Sequence, residues 1–151
     1  MQGLIRQEDR YEAQIHPCLA MLPSFTQLGM AALLPGKSIA ISENNSGSVT
    51  VDGKSSQGTD YRNKILQAAI GRTATAMRAD DLLSMQKDDC RAMIRDHEVV
   101  YIYHNRIDAT GDKRDTEERT CEAVEEALQE LVKIIKKLTA ANANNLLVTA
   151  D

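Results

Sequence analysis

The chemistry this sequence could perform rests on one threonine and three aspartates. Asp108 and Asp112 stand four residues apart in "NRIDATGDK", and Asp151 closes "NLLVTAD". Carboxylates are hard oxygen donors that suit divalent cations, and zinc also accepts them. Thr26 lies in "LPSFTQLGMAALLPG", where a Pro-Ser-aromatic-Thr stretch meets an apolar, alanine-rich helix. Ser24 and Gln27 fit a capping box there, with Ser24 as N-cap and Gln27 as the third helical residue. Two readings of Thr26 are then open. It stands in the first helical turn only because a helix begins there, or its hydroxyl does chemistry. A helix start presents free N–H groups and a positive dipole end that attract phosphate. A hydroxyl at that point can attack phosphorus once a metal ion lowers its pKa.

The other candidates carry the same double reading. Taken singly, each aspartate is a plausible turn residue or helix cap, and Asp115, three residues before Glu118, reads as the cap of the helix that follows. His104 and Asn105 come directly after an apolar strand and could orient a ligand or serve the fold alone.

These residues need a scaffold, and the chain is long enough for one domain. Its 151 residues carry a net charge of −4 with acidic and basic residues mixed along most of the length, which gives no electrostatic case for nucleic-acid or membrane binding. Aromatic residues are few and tryptophan is absent, which argues against a base-stacking surface. No apolar run reaches the roughly 18 residues that span a bilayer, and the polar start "MQGLIRQEDRYEAQ" has no hydrophobic signal core. A soluble, cytoplasmic protein is expected. Cys18, Cys90 and Cys121 are isolated, without CxxC or zinc-finger spacing, and read as reduced and mostly buried thiols.

Periodicity and turn residues supply the elements. "IAIS" and "SVTV" read as partner strands of a hairpin within a Ser-, Gly- and Asn-rich region at about residues 38–59, inserted in a single domain that covers residues 1–151. "TDYRNKILQAAIG" reads as a helix closed by Gly71, "TATAM" as a short strand and "DDLLSMQKDDCRAMIRD" as one or two short helices. "VVYIYH", β-branched and aromatic, predicts a buried strand at residues 99–104. A long amphipathic helix follows, with Cys121, Val124, Leu128, Leu131, Ile135 and Leu138 on one face and lysines near its end. Asn142 to Asn145 end it, and "NLLVTAD" predicts another strand. A strand–helix–strand unit makes its strands parallel. Asp108 and Asp151 would then both sit at the carboxyl edge of one sheet, on adjacent strands or with others between, where open α/β folds place ligands. Because the chain stops straight after an apolar strand, it is read as a piece of a longer protein.

"LPSFTQLGMAALLPG", "VVYIYHNRIDATGDK" and "AVEEALQELVKIIKKLTAANANNLLVTAD" together resemble the PglZ family, the phosphatase-like component of bacterial BREX phage-defence systems. The likeness runs from about Asp9 to the last residue, and "YHNRIDATGDK" is its most distinctive string. The resemblance implies an alkaline-phosphatase-like α/β fold: a doubly wound, mostly parallel sheet flanked by helices, incomplete in this chain. It implies a two-metal site holding zinc, with manganese or magnesium as alternatives, and a Ser or Thr nucleophile at a helix start, the position of Thr26. Asp108 matches the aspartate of the superfamily's metal-binding turn. Asp112 stands where a histidine is usual. Asp151 matches the aspartate of an Asp-His pair. His104, Asn105 and Ser24 would orient ligands or substrate. The implied partners are other BREX defence proteins and a phosphate-ester substrate. The chain alone is expected to bind metal weakly and not to turn over. A scaffold role with a degenerate phosphatase site is the alternative function.

Overall fold

A computed structural model of the chain describes residues 11–43, 47–105 and 117–150, with the backbone alone for 117–123. Helix α1 (Thr26–Ala32) leads into three short strands, β1 (Ile39–Ile41), β2 (Val49–Val51) and β3 (Lys54–Ser55). Helix α2 (Thr59–Ile70) follows, then β4 (Ala74–Arg78), helices α3 (Ala79–Ser84) and α4 (Lys87–Asp96), β5 (Val99–Tyr103) and helix α5 (Glu117–Ala140). The architecture is mixed α/β. β1, β2 and β3 form an antiparallel sheet in that order, with Ile39 opposite Val51 and Thr50 opposite Ser55. β4 and β5 pair in parallel, from Ala74 opposite Val99 to Arg78 opposite Tyr103.

Strand alternation explains how β5 joins two cores. Val100 and Ile102 pack on a cluster of Ala79, Leu82, Cys90 and Met93 with Ile134, Leu138 and Ala141 from the α5 end. Tyr101 packs on a second cluster built from Leu28, Ala31 and Leu34 around α1, Val49 and Val51 of β2, and Ile65 of α2. The parallel pair thus has helices on both faces. That is why a strand so rich in apolar residues can form here.

Local chemistry sets the helix ends. Gly71 closes α2 at φ 109°, a value that favours glycine, and its N–H reaches Gln67 O at 2.9 Å. At the end of α5, Asn142 takes φ 74°, Ala143 N–H donates to Leu138 O at 3.0 Å and Asn142 N–H to Thr139 O at 3.0 Å. That is a Schellman stop with asparagine in the left-handed position. Lys137 Nζ donates to Leu83 O at 2.7 Å and Met85 O at 2.6 Å, which satisfies carbonyls at the end of α3. The open N–H of Ala76 in β4 donates to Asn63 Oδ1 of α2 at 3.0 Å.

Several expectations need correction. Ser24 is not the cap of α1. The N-cap is Phe25, in extended conformation, and no side-chain hydrogen bond caps the helix. Phe25 packs against the second cluster, and the helix begins one residue later than the capping pattern implies. Its carbonyl accepts from Leu28 and Gly29 N–H, both at 3.1 Å. Residues 143–150 form no strand among the described residues, and Leu147 is 90% exposed. β-branched and apolar character makes a strand only where a ladder partner exists. The parallel pair is instead β4 with β5, connected through α3 and α4. On α5 the buried stripe is Ala127, Ile134, Ile135 and Leu138, while Val124 is exposed and the Cys121 side chain lies outside the described residues. Cys90 is buried as expected, but Cys18 is exposed.

Candidate active site

Thr26 is the first residue of α1 and is exposed, so its hydroxyl is accessible beside the first free N–H groups of the helix. Ser24 is exposed two residues before it. The far end of α1 is tied to β5, where Tyr101 Oη donates to Leu33 O at 2.9 Å. Phe25 and Tyr101 pack against the same cluster. One core therefore positions both α1 and the strand that leads to His104 and Asn105.

His104 follows β5 and is mostly enclosed. Its Nε2 lies 3.2 Å from Glu130 Oε1 of α5, and the two side chains keep 12% and 13% of their surface. The contact is a close approach of a ring nitrogen and a carboxylate oxygen, off the line of a hydrogen bond. Asn105 is exposed. Among the described residues, Ser24, Thr26, His104 and Asn105 form no hydrogen bond or ion pair with one another; the structure sets two of them at the α1 start and two at the β5 end.

Asp108, Asp112 and Asp151 lie outside the described residues, as does Asp115. Among the described residues no group of three His, Cys, Asp or Glu side chains could hold a metal ion. The described donors alone therefore do not make a metal centre. His104 is the one candidate donor near the β5 end with a defined setting, and that setting is Glu130.

Two residues at this end were not anticipated. Arg62 of α2 is only 8% exposed and its Nε–H donates to Ser56 O at 2.8 Å. Its guanidinium carbon lies 4.8 Å from the ring centroid of Tyr103, within cation–π range. Tyr103 Oη is buried with no hydrogen-bond partner. Burial pushes its hydroxyl up to about 12, with the Arg62 charge pulling the other way. The signal was present in the sequence. Arg62 precedes Ile65 and Leu66 by three and four residues, which puts a cation on the apolar face of the predicted helix. Tyr103 alternates with Tyr101 on one side of β5.

The family model for the BREX system PglZ alkaline phosphatase-like domain matches residues 1–151. The chain is 42% identical over 148 residues, 97% of its length, to "Alkaline phosphatase-like protein BrxZ" of Escherichia coli O9:H4 (strain HS). It is 35% identical over 152 aligned positions, 100% of its length, to "Alkaline phosphatase-like protein PglZ" of Bacillus cereus (strain H3081.97). It spans 17% of the length of each of these relatives. No solved structure matches. Among the described residues no helix is long and apolar enough to cross a membrane. With the match extending over every residue of the sequence, the chain belongs to the family of PglZ alkaline phosphatase-like domains of BREX systems.

Proposed function

We propose that the chain is part of a metal-dependent phosphoric ester hydrolase of the PglZ type that acts with other BREX proteins in bacteriophage defence in the bacterial cytoplasm. The family match over residues 1–151 carries the reading, and the accessible hydroxyl of Thr26 at a helix start supports it. The complete fold is then an alkaline-phosphatase-like, doubly wound sheet, to which β4 and β5 contribute one parallel pair.

Thr26 is the nucleophile. Its Oγ1 gives up its proton to solvent and forms the new bond to phosphorus, the bond to the leaving-group oxygen breaks in line, and the departing oxygen takes a proton back from solvent. Water then hydrolyses the phospho-threonine and returns the hydroxyl. Asp108, Asp112 and Asp151 would hold two divalent ions, zinc or else manganese or magnesium. Such ions polarise a phosphoryl oxygen and lower the pKa of a hydroxyl. His104, held beside Glu130, and Asn105 orient a metal ligand or the substrate. Ser24 is close enough in sequence to Thr26 to contact the substrate.

The test is turnover of a generic phosphodiester and a phosphomonoester by a full-length protein carrying this chain, with zinc or manganese added. Thr26→Ala should abolish turnover, and Thr26→Ser should retain part of it. Undiminished activity in Thr26→Ala rejects the nucleophile. A second reading, a scaffold with a degenerate phosphatase site, is favoured by Asp112 standing where the superfamily usually has a histidine. Absence of turnover with either ester and either metal, together with retained assembly with BREX partners, selects it.

A further inference from the structure

Two adjacent residues of α2 grip the two strands of the parallel pair. Asn63 Oδ1 accepts the Ala76 N–H of β4 at 3.0 Å. Arg62 places its guanidinium carbon 4.8 Å from the ring centroid of Tyr103, the last residue of β5. A planar cation over an aromatic ring gains from both charge and stacking. Arg62 is also fixed from behind. It is only 8% exposed, and its Nε–H donates to Ser56 O at 2.8 Å. Ser56 is fully buried in turn, and its N–H and hydroxyl both donate to Val49 O of β2, at 3.1 and 2.8 Å. The end of β5 is thereby tied through one side chain to the antiparallel sheet.

The next residue is held from the other face. Side chains alternate along a strand. Tyr101 packs in the core that contains Ile65 of α2, whereas Val100 and Ile102 pack in the core that contains the end of α5. Tyr103 follows Tyr101 towards α2, and His104 follows Ile102 towards α5, where its Nε2 lies 3.2 Å from Glu130 Oε1. Consecutive Cα atoms are only about 3.8 Å apart. His104 keeps 12% of its side-chain surface, so a shift of Tyr103 cannot be absorbed before it reaches the imidazole.

We infer that Arg62 is a positioning residue: acting through Tyr103, it sets where β5 ends and hence where His104 stands at the candidate site. The inference rests on the hydrolase reading above for its effect on turnover, and the placement of His104 is read separately.

The test uses the full-length protein carrying this chain, as wild type, Arg62→Met and Tyr103→Leu, with thermal melts as the folding control. Arg62→Met fills a similar space without the cation or its donors. Tyr103→Leu removes the ring and leaves Arg62 its bond to Ser56 O. Histidines are acylated with diethyl pyrocarbonate and followed by mass spectrometry. His104 should react several-fold faster in both variants, while His97, whose Nδ1 is 2.8 Å from Met93 O, keeps its rate. If one variant does not melt cooperatively, the other decides. An unchanged His104 rate, or an equal rise at His97, overturns the inference. In ester turnover, Arg62→Met should lower kcat about ten-fold or more with KM held within about two-fold. Arg62→Lys, which keeps a cation for the ring, should fall between. Unchanged turnover in Arg62→Met, or a raised KM at unchanged kcat, also overturns the inference. Acceleration confined to His104 in a protein that hydrolyses no ester keeps the placement of His104 by Arg62 and rejects the hydrolase.

Discussion

Tyr101 donates its hydroxyl proton to the Leu33 carbonyl, joining the strand before His104 to the helix that begins at Thr26 across 68 positions of sequence. Neither end of the contact is deeply buried. Tyr101→Phe should therefore cost only about 0.5–1 kcal/mol in urea unfolding. Amide exchange at the end of α1 should quicken at the same time. Unchanged exchange there would show that the shared core, not this bond, holds α1 in place.

Gly36 lies where a methyl group would run into Val51 Cγ1. Val51 is fully buried in the cluster under α1, so its side chain has no free space to move into. Gly36→Ala should destabilise by about 1–3 kcal/mol in chemical denaturation. A neutral result would mean that the segment between α1 and β1 shifts as a unit.

Lys137 satisfies two carbonyls at once, those of Leu83 and Met85. Lys137→Met preserves the length of the side chain and removes both donors. The expected loss is about 1–3 kcal/mol, read from the denaturant midpoint.

Tyr103 makes stability pH-dependent on the alkaline side. Burial raises its pKa from 10.0 to about 12 in the folded chain. In that interval the unfolded chain has released the proton and the folded chain still holds it, so stability falls as pH rises. The contribution is complete below about pH 10 and is lost by about pH 12. Urea melts across this range should show a shallower decline in Tyr103→Phe than in the wild type.

Cys18 is exposed and Cys90 is buried at 1% of its surface, where burial also pushes its thiol pKa up. Iodoacetamide should therefore label Cys18 in the native chain, and Cys90 only after denaturant is added. Mass spectrometry of the two peptides reads the order directly.

What could be read from the sequence was what is decided locally. The α2 helix with its Gly71 stop, the β1–β2 hairpin, β5 and the asparagine end of α5 all follow from residues close together in the chain. Strand pairing is decided elsewhere. Residues 145–150 have a strand-like composition and no ladder, whereas the less apolar "ATAMR" pairs with β5 because α2 and α3 bring it there. The Ser24 capping box matched a pattern, but packing of Phe25 against Leu28 and its neighbours displaced the helix start. Thr26 and His104 were named from sequence and have defined settings, while the Asp108, Asp112 and Asp151 assignments lie outside the described residues. The sequence places Arg62 on the apolar face of α2, but its contact with Tyr103 follows only once the neighbouring strand is known.

The Asn63 amide has a consequence for how the parallel pair can be enlarged. The Ala76 N–H that it accepts is spent on α2 rather than on β5, so it leaves β4 by the outer rim. Among the described residues β5 pairs only with β4. Asn63 thus acts as a stopper on the β4 side of the sheet. A strand pairing on the β4 rim would first have to displace the Asn63 amide from the Ala76 N–H.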